Sequence, residues 1–269
     1  MAAQEAQAAD VTSSRTAITP GDLAWSRLPA FARRVERALE TIRRAAEGHH
    51  IGVSFSTGKD STVVLDLVRR VIPDAPAGFF DSGSETEYDE SYDLAAHYNA
   101  QAFTSEIPLA EMCRRGGYWG YEHPTEPDVT YDWMAYLVYE PSYRFALVEG
   151  IDTMAMGLRA DESAGRRVNY RRRGKLYKVD GEEPVTHHLC PIADWSTSEV
   201  WAYIAGRGLR YHPVYDLMAQ AGIPREQWRI SVLLGRSAVN LGRYGFLRQT
   251  CPAKWRNLAA QFPEIARYT

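Results

Sequence analysis

The chain has 269 residues, 45% of them apolar and 24% charged, with a formal net charge of −3 at pH 7. These values are ordinary for a globular protein with a substantial core, and they argue against wholesale coating of nucleic acid. No apolar run approaches the roughly 20 residues that span a bilayer, so no membrane contact is predicted.

The first predicted elements are a leader, a helix and a short strand, all within residues 1–56. Residues 1–22 lack the basic and apolar regions of a secretory signal, and we expect a disordered leader on a cytoplasmic protein. Residues 25–48 place apolar side chains at helical spacing, which predicts a helix. "HIGVSFS" follows as a short buried strand, and from Asp60 onward the apolar positions again follow a helix.

Strands and helices continue to alternate downstream. Strands are predicted at residues 77–81, 101–107 and 151–159, and helices at 85–98 and 128–149. This alternation predicts a doubly wound, Rossmann-like α/β fold with a parallel sheet. Ligands bind beyond the carboxyl ends of such strands, so we expect Ser56, Asp81 and Arg159 to share one crevice.

The pattern becomes irregular after Arg159. Residues 168–192 predict a hairpin or an extended loop with a turn at Asp180-Gly181, and a capping box at Ser196 predicts a helix start there. We therefore expect an α/β domain at residues 23–216, with its ligand site at the strand ends. A partly helical C-terminal extension, residues 217–269, is expected to pack on the same domain.

The stretch "VSFSTGKDSTVVLDLV" at residues 53–68 places a polar loop between a strand and a helix. Backbone N–H groups, several hydroxyls and the positive helix end favour a polyphosphate or pyrophosphate, and Lys59 adds a cation. The stretch is not a Walker A loop, because Gly58-Lys59 is followed by Asp60 rather than Ser or Thr. Two roles stay open for Asp60, a bridge to phosphate through Mg²⁺ or a helix cap.

Four segments in order resemble one family. "SFSTGKDS" resembles the pyrophosphate loop of the PP-loop ATP pyrophosphatases, in the version of the phosphoadenosine phosphosulfate (PAPS) reductase-like family, with Thr57 replacing the first glycine. "FFDSGSETEYDES" is similar to the family's D-[TS]-G-x-E segment, and "GLRADESAGRR" to G-x-R-x-x-E-S-x-x-R. "CPIADWSTSEVWAYIAGRGLRYHPVYD" resembles its P-[IL]-x-D-W…H-P-x-Y-D segment. The resemblance covers about residues 50–216.

This resemblance implies an adenine nucleotide, ATP or else PAPS or adenosine phosphosulfate (APS), together with Mg²⁺. It favours cleavage of ATP to AMP and pyrophosphate, with adenylylation of an unknown acceptor in sulfur metabolism or sulfur transfer. The catalytic candidates are Lys59, Asp60, Arg159 and Arg166, and the metal candidates are Asp60 and Asp81. The candidates for nucleotide or phosphate binding are Ser54, Phe55, Ser56, Thr57, Gly58, Ser61, Asp81, Gly157, Glu162 and Ser163.

Several of these charged residues have a second interpretation. Arg159 and Arg166 suit anionic phosphate oxygens, but each can instead form an ion pair with Glu162 or another carboxylate. The acidic residues 87–90 read as a solvated helix face. The basic segment of residues 166–178 allows three interpretations: a lid over nucleotide phosphates, a solvated surface, or a nucleic-acid contact through phosphates and stacking tyrosines.

The cysteines bear on the type of reaction. Cys113, Cys190 and Cys251 are far apart with no C-x-x-C, so we expect no iron–sulfur cluster. His187-His188 beside Cys190 is a poor metal site, because neighbouring residues of an extended chain point to opposite faces. The family's reductases use a cysteine in an E-C-G-x-H segment that this chain lacks, and Cys251 reads as a buried residue.

Two further alternatives remain from the sequence. The first is a PAPS or APS reductase that uses the Cys251 thiol. The second is a nucleotide-binding subunit of a nucleic-acid-modifying complex that is inactive alone. A homodimer and a separate partner protein are both left open.

Overall fold

A six-stranded sheet organises the part of the chain that the computed structural model describes, residues 16–117, 123–179, 184–230 and 243–268. Its strands are β1 Ile51–Ser54, β2 Ala77–Asp81, β3 Gln101–Thr104, β4 Thr153–Ala155, β5 Leu176–Lys178 and β6 His187–Leu189. They lie in the order β3-β2-β1-β4-β6-β5, and all pairs are parallel except β5 with β6. The predicted doubly wound, mainly parallel α/β fold is confirmed.

The strand order reverses direction between β1 and β4. Val53 of β1 pairs with Ala77 of β2 on one side and with Ala155 of β4 on the other. The chain leaves β1 towards β2 and β3 and later returns to the opposite side. Such a switch point opens a crevice beyond the carboxyl ends of the two central strands.

Helices of the described residues connect the strands. They are α1 Pro20–Ser26, α2 Pro29–Ala46, α3 Lys59–Arg69, α4 Asp89–His97, α5 Leu109–Gly116, α6 Glu140–Glu149, α7 Ala164–Arg173, α8 Thr197–Arg207, α9 Val214–Gln220, α10 Arg243–Thr250 and α11 Pro252–Gln261. Shorter turns are a π-helix at Ala135–Tyr139 and 3-10 turns at Ala160–Glu162, Arg225–Gln227 and Pro263–Tyr268. Of the helices that the structure describes, none combines the length and apolarity needed to cross a membrane.

Two hydrophobic clusters cover the two faces of the sheet. Ala155 belongs to the larger cluster, whereas its neighbour Met154 packs in a smaller one with Phe103 and Phe145. Because successive strand residues point to opposite faces, the two clusters lie on opposite sides. Helix α6 reaches the smaller one closely, since a Cβ at Gly78 would lie 2.8 Å from the Phe145 ring. Burial of one such phenylalanine contributes roughly 1.5–3 kcal/mol.

The N-terminal boundary differs from the sequence prediction. Ala17 and Asp22 are buried, and Thr19 forms a capping box with Asp22 at the start of α1. The leader prediction is therefore wrong for residues 16–22, while residues 1–15 lie outside the described residues. The helix predicted at residues 25–48 is two helices, because Pro29 occupies the first turn of α2 and starts a new one.

Three other predicted elements have different bounds. Helix α4 begins at Asp89 rather than near residue 85, and the predicted helix of residues 128–149 becomes the π-helix followed by α6. Residues 168–173 belong to α7 instead of a hairpin, although β5 and β6 do pair antiparallel. Apolar periodicity did not predict α7, because none of its residues is buried and the helix has no apolar face. The predicted turn at Asp180-Gly181 lies outside the described residues.

The C-terminal part shares the main core. Helix α9 runs across the predicted boundary at residues 216 and 217, so no separation occurs there. Leu247 of α10 and Leu258 of α11 belong to the larger cluster with the sheet. The predicted packing of the extension on the α/β core therefore agrees with these contacts.

Candidate functional site

A cavity of about 290 Å³ lies at the switch point, beyond the ends of β1 and β4. It is lined by Ser54, Ser56, Gly58, Lys59, Asp60, Ser61, Met156, Gly157, Leu158, Glu162, Arg166, Tyr215, Arg229 and Ile230. The structure thus brings together most of the candidate residues from two segments of the chain that are about a hundred positions apart.

The loop after β1 is held by hydroxyl groups. Ser61 donates to the Gly58 carbonyl at 3.0 Å and accepts from the Ser56 N–H at 3.2 Å. The Lys59 N–H, in the first turn of α3, donates to the Tyr215 hydroxyl at 3.0 Å. These bonds fix the loop against the start of an 11-residue helix, whose positive end faces the crevice.

Asp60 does not cap α3. The N-cap is Gly58, without a side-chain cap, and the Asp60 carboxylate pairs with two cations instead. Lys59 Nζ lies 2.8 Å from Asp60 Oδ2, and Arg159 Nε lies 2.6 Å from Asp60 Oδ1. The capping interpretation is therefore wrong, and Asp60 is the centre of a charge triad.

Arg159 is almost fully buried, with 1% of its side chain exposed. Its other nitrogens donate to the Trp195 carbonyl and the Thr197 hydroxyl, both at 3.3 Å. Arg159 is not among the described residues that line the cavity. The ion-pair interpretation of Arg159 holds: its near partner is the Asp60 carboxylate, and Glu162 lies farther away at 3.9 Å.

The triad shifts the pKa values of Lys59 and Asp60. Burial lowers the pKa of Lys59 because it penalises the ammonium, although the Asp60 carboxylate opposes this effect. Burial works against the Asp60 carboxylate too, but the charges of Lys59 and Arg159 outweigh it and hold the Asp60 pKa below its usual range. Asp60 therefore favours its charged form.

Glu162 positions two arginines on the cavity wall. It forms an ion pair with Arg166, and its Oε1 lies 3.5 Å from Arg229 Nη1. Its Oε2 also accepts the Arg159 backbone N–H at 3.1 Å. Both arginines are partly exposed, at 43% and 37%, so they can turn towards a bound anion.

Arg229 and Tyr215 are site residues that the sequence reasoning missed. Arg229 follows Trp228 in a segment without readable periodicity, and no motif marks it. Tyr215 lies in the "YHPVYD" end of the fourth family-like segment, which gives it no predicted role. Its contact with the Lys59 N–H became visible only in three dimensions.

Thr57 is a predicted phosphate contact that the structure turns away from the cavity. Its backbone has φ of 56°, and its side chain is 1% exposed. The Thr57 hydroxyl donates to Ser91 Oγ at 3.3 Å, and Ser91 Oγ lies 3.3 Å from His212 Nε2. Burial lowers the His212 pKa to about 4, so this histidine is neutral at physiological pH.

Three further candidates lie outside the described lining. Phe55 is a core residue in edge contact with the Tyr98 ring, and Ser163 is the N-cap of α7. Asp81 accepts three hydrogen bonds, from the Gly83 N–H at 2.8 Å, Tyr92 at 2.6 Å and Thr104 at 2.9 Å. These bonds fix the end of β2, and Asp81 does not belong to the described lining of the cavity.

Glu87 was predicted on a solvated helix face, but it is buried. It accepts from Ser82 Oγ at 2.7 Å, and burial raises its pKa to about 7. Asp89 and Glu90, also predicted on that face, are exposed as expected.

The metal candidates do not form a ligand set in this structure. Both Asp60 oxygens accept charged hydrogen bonds, and two adjacent cations repel a divalent ion. Across the described ranges, no three His, Cys, Asp or Glu side chains gather in a metal-binding arrangement. Asp60 and Asp81 therefore do not fit the predicted Mg²⁺ site as they stand.

The cysteines lie in surroundings that disfavour a thiolate. Burial raises the pKa of Cys113 to about 12 and that of Cys190 to about 11. Cys251 is half-buried at the N-cap of α11, and burial raises its pKa as well. A low pKa is what makes a thiol nucleophilic, so these thiols are poorly activated.

A hydroxyl-rich loop, a helix start and three cations surround a switch-point cavity of an α/β protein, an arrangement that suits phosphate groups. The chain belongs to the phosphoadenosine phosphosulfate reductase domain family, whose model matches residues 50–221. The match ends before Arg229, so one wall of the cavity lies outside the family segment.

Curated relatives carry the family's name. The chain is 30% identical over 174 residues to phosphoadenosine 5'-phosphosulfate reductase of Xanthomonas campestris, which covers 61% of this chain and 65% of that protein. The enzyme of the same name from Yersinia enterocolitica is 30% identical over 188 residues, covering 68% and 70%. The chain thus spans about two thirds of the length of these relatives.

Among solved structures, the PAPS reductase of Candida auris has a TM-score of 0.47 and 18% identity, covering 70% of this chain and 90% of that one.

Proposed function

We propose that the chain binds ATP and cleaves it to AMP and pyrophosphate, transferring the adenylyl group to an acceptor. One observation carries the proposal: the cavity between β1 and β4, where the hydroxyl loop, Lys59 and two arginines converge. Its volume is close to the lower end of small-ligand sites, about 300 Å³.

The proposal gives each part of the cavity a task. The ends of β1 and β4, at Ser54 and Met156, receive the nucleoside, and the loop with the start of α3 cradles the β- and γ-phosphates. Lys59, Arg166 and Arg229 offset the charge that develops on the departing pyrophosphate. Arg159 acts through Asp60 as a positioning residue, because it does not line the described cavity.

The reaction balances without a redox partner. An acceptor oxygen attacks the α-phosphorus, the bond from that phosphorus to the bridging oxygen of the β-phosphate breaks, and the electron pair leaves with pyrophosphate. The acceptor loses its proton to solvent or to a base on the acceptor side. Charge stabilisation and alignment are the contributions that the described residues supply.

Two observations favour this reaction over thiol chemistry. The raised pKa values of the three cysteines disfavour a nucleophilic thiolate. The resemblance adds that PAPS reductases generally lack the Lys59-Asp60 pair, which this chain has.

The test is incubation with α-labelled ATP and MgCl₂, followed by separation of AMP and measurement of pyrophosphate. Reactions are run alone and with sulfate, a sulfide donor or nucleic acid as acceptor. Asp60→Ala should abolish product, because Lys59 and Arg159 lose their shared anchor, whereas Asp74→Ala at an exposed position should not change it. ATP binding without AMP formation under all these conditions would contradict the proposal. Turnover that requires a partner protein would instead favour a nucleotide-binding subunit.

The second candidate is PAPS or APS reduction, favoured by the names of the curated relatives. Here the Cys251 thiolate attacks the sulfonyl sulfur, adenosine phosphate leaves, and an external dithiol then releases sulfite by reducing the enzyme's S-sulfocysteine. Sulfite release from PAPS and a dithiol, lost in Cys251→Ser and kept in Cys113→Ser, would support it. Unchanged sulfite release in Cys251→Ser would exclude this cysteine.

A further inference from the structure

The basic segment of residues 166–178, which contains most of helix α7, carries more positive charge than the cavity uses. Residues 166–178 hold five arginines, two lysines and no acidic residue, a formal charge of +7. The chain as a whole carries −3, so the remaining residues carry −10. Such asymmetry is the electrostatic footprint of a surface that binds polyanions.

The described contacts leave most of this charge uncompensated. In the segment, ion pairs within the described residues are Arg166 with Glu162 and Lys175 with Asp194. Arg167, Arg171 and Arg172 are exposed, and no described carboxylate pairs with them. Arg173 lies over the Tyr177 ring and donates to the Lys178 carbonyl.

The charge does not serve the stability of α7. No residue of the helix is buried, so packing contributes little to its formation. Arg171 and its neighbours suit the negative end of the helix dipole, but Arg166 and Arg167 lie in the first turn, at the positive end. Arg167 and Arg171 are also like charges at i, i+4, which destabilises a helix. A ligand that neutralises these charges removes both costs.

The helix starts at the mouth of the cavity. Ser163, its N-cap, follows Glu162, and Arg166 in its first turn lines the cavity together with Glu162. Ten helical residues extend about 15 Å, which is the length of about four phosphates along one strand of a nucleic acid. A polyanion on this surface would therefore lead to the nucleotide site.

The two tyrosines of the segment are partly buried. Tyr170 and Tyr177 line a small cavity with Cys190, and burial raises the pKa of both phenols. The exposed charged side chains of α7 are arginines, which suit phosphates.

We propose that α7 binds the sugar-phosphate backbone of a nucleic acid and holds it at the mouth of the cavity. The binding is independent of base sequence and strongly dependent on salt, because arginines contact phosphates and not base edges. As a statement of the acceptor class, it rests on the proposed adenylyl transfer. As a binding surface, it does not require turnover.

The test measures binding without ATP by fluorescence anisotropy of labelled single-stranded DNA, single-stranded RNA and duplex DNA. The variant is Arg167→Gln/Arg171→Gln/Arg172→Gln, which leaves the cavity residues intact. We expect affinity to weaken at least about tenfold at ~100 mM salt. The slope of log Kd against log salt should fall by about 2 to 3, close to 0.9 for each lost phosphate contact. The DNA and RNA arms show which nucleic acid is preferred.

The matched control is Arg33→Gln/Arg37→Gln/Arg44→Gln on α2, three exposed arginines with the same total charge. It should bind as the parent chain does, and circular dichroism should show all three proteins folded. Equal losses in both variants, no loss in the α7 variant, or tighter binding to phosphatidylserine vesicles than to nucleic acid would overturn the proposal. Failure of ATP cleavage with retained α7-dependent binding would overturn only the proposed function.

Discussion

Thr57 occupies a backbone conformation that a β-branched residue rarely adopts. Its φ of 56° lies in the left-handed region, at the position where the resembled loop has glycine. The side chain is buried and donates to Ser91, which lies beside His212. The loop therefore combines backbone strain with a polar contact that holds it in place.

Replacement of Thr57 separates these two effects. Thr57→Ala loses the hydroxyl and keeps the strain, whereas Thr57→Gly loses the hydroxyl and relieves the strain. We expect Thr57→Gly to be more stable than Thr57→Ala by about 1 kcal/mol in urea unfolding. The same pair at Thr62, inside α3, should show the opposite order by about 1 kcal/mol. An alanine advantage at both positions would contradict the assigned strain.

Glu87 gives the protein a pH dependence that can be assigned to one carboxyl group. Its pKa is raised from 4.5 to about 7 in the folded state, so the unfolded chain ionises first as pH rises. Stability from this group is fully present below about pH 4.5 and is lost as pH rises through 7, by about 3 kcal/mol.

Glu87→Gln should remove this pH dependence. The variant and the parent should have similar unfolding free energies at pH 4.5, and the variant should gain up to about 3 kcal/mol relative to the parent at pH 8. Denaturant melts across this range measure the difference. Glu90→Gln, at an exposed position of the same acidic run, should show no such trend.

At the scale of elements, the exit of β4 is pressed against the start of α3. A Cβ at Gly157 would lie 2.7 Å from the Asp60 carbonyl carbon and 2.8 Å from the Ser61 N. Contacts this short require backbone to move. Gly157 thus lets the two elements share one wall of the cavity, and the match to a family glycine has a steric reason here.

Gly157→Ala should therefore damage both the fold and the site. We expect a stability loss of about 1–3 kcal/mol and a loss of ATP affinity of tenfold or more, about 1.4 kcal/mol. Calorimetric titration with ATP and urea melts measure the two effects. Gly165→Ala, where a Cβ meets nothing within 4 Å, should bind ATP as the parent does and gain about 0.5–1 kcal/mol in stability. Equal ATP affinity in both variants would contradict the steric role.

At the scale of the whole molecule, the start of α1 is tied to the segment around Arg225, close to the site. Arg225 donates to Asp22 at 2.6 Å and to the Ala17 carbonyl at 2.7 Å, and it stacks against Trp228. The Trp228 carbonyl accepts from Lys59 Nζ at 3.3 Å. Asp22 thereby supports the lysine of the loop through three successive contacts.

Asp22→Ala should weaken both stability and nucleotide binding. Asp22 is buried and Arg225 is partly exposed, so removal of the carboxylate leaves a partly desolvated guanidinium without its ionic partner, which costs about 1–3 kcal/mol. ATP affinity should fall severalfold, because Arg225, which lies over the Trp228 ring, loses the carboxylate that orients it. Asp74→Ala, at an exposed turn, is the matched control. Normal ATP affinity in a destabilised Asp22→Ala would show that the tie between Asp22 and Arg225 does not support the loop.

The sequence allowed prediction of the sheet and of the loop because both depend on local patterns. Strand and helix periodicities and the "STGKDS" motif are readable within a few residues, and the crevice at the strand ends follows from topology. The direction in which side chains point was not readable. Arg159 and Asp60 are 99 positions apart, and only their packing shows that they pair. Arg229 lies in a segment without apolar periodicity, and no residue of α7 is buried. The sequence therefore carried no apolar pattern that could predict either of them.

The tie between Asp22 and Arg225 spans 203 positions, and this separation has a consequence for biosynthesis. The N-terminal partner leaves the ribosome first and waits roughly 10 to 40 s, at 5–20 residues per second, for the second partner to be translated. Throughout that interval α1 lacks the Arg225 anchor, and Lys59 lacks the Trp228 carbonyl. The contacts that support the lysine of the loop are therefore completed late in the synthesis of each molecule.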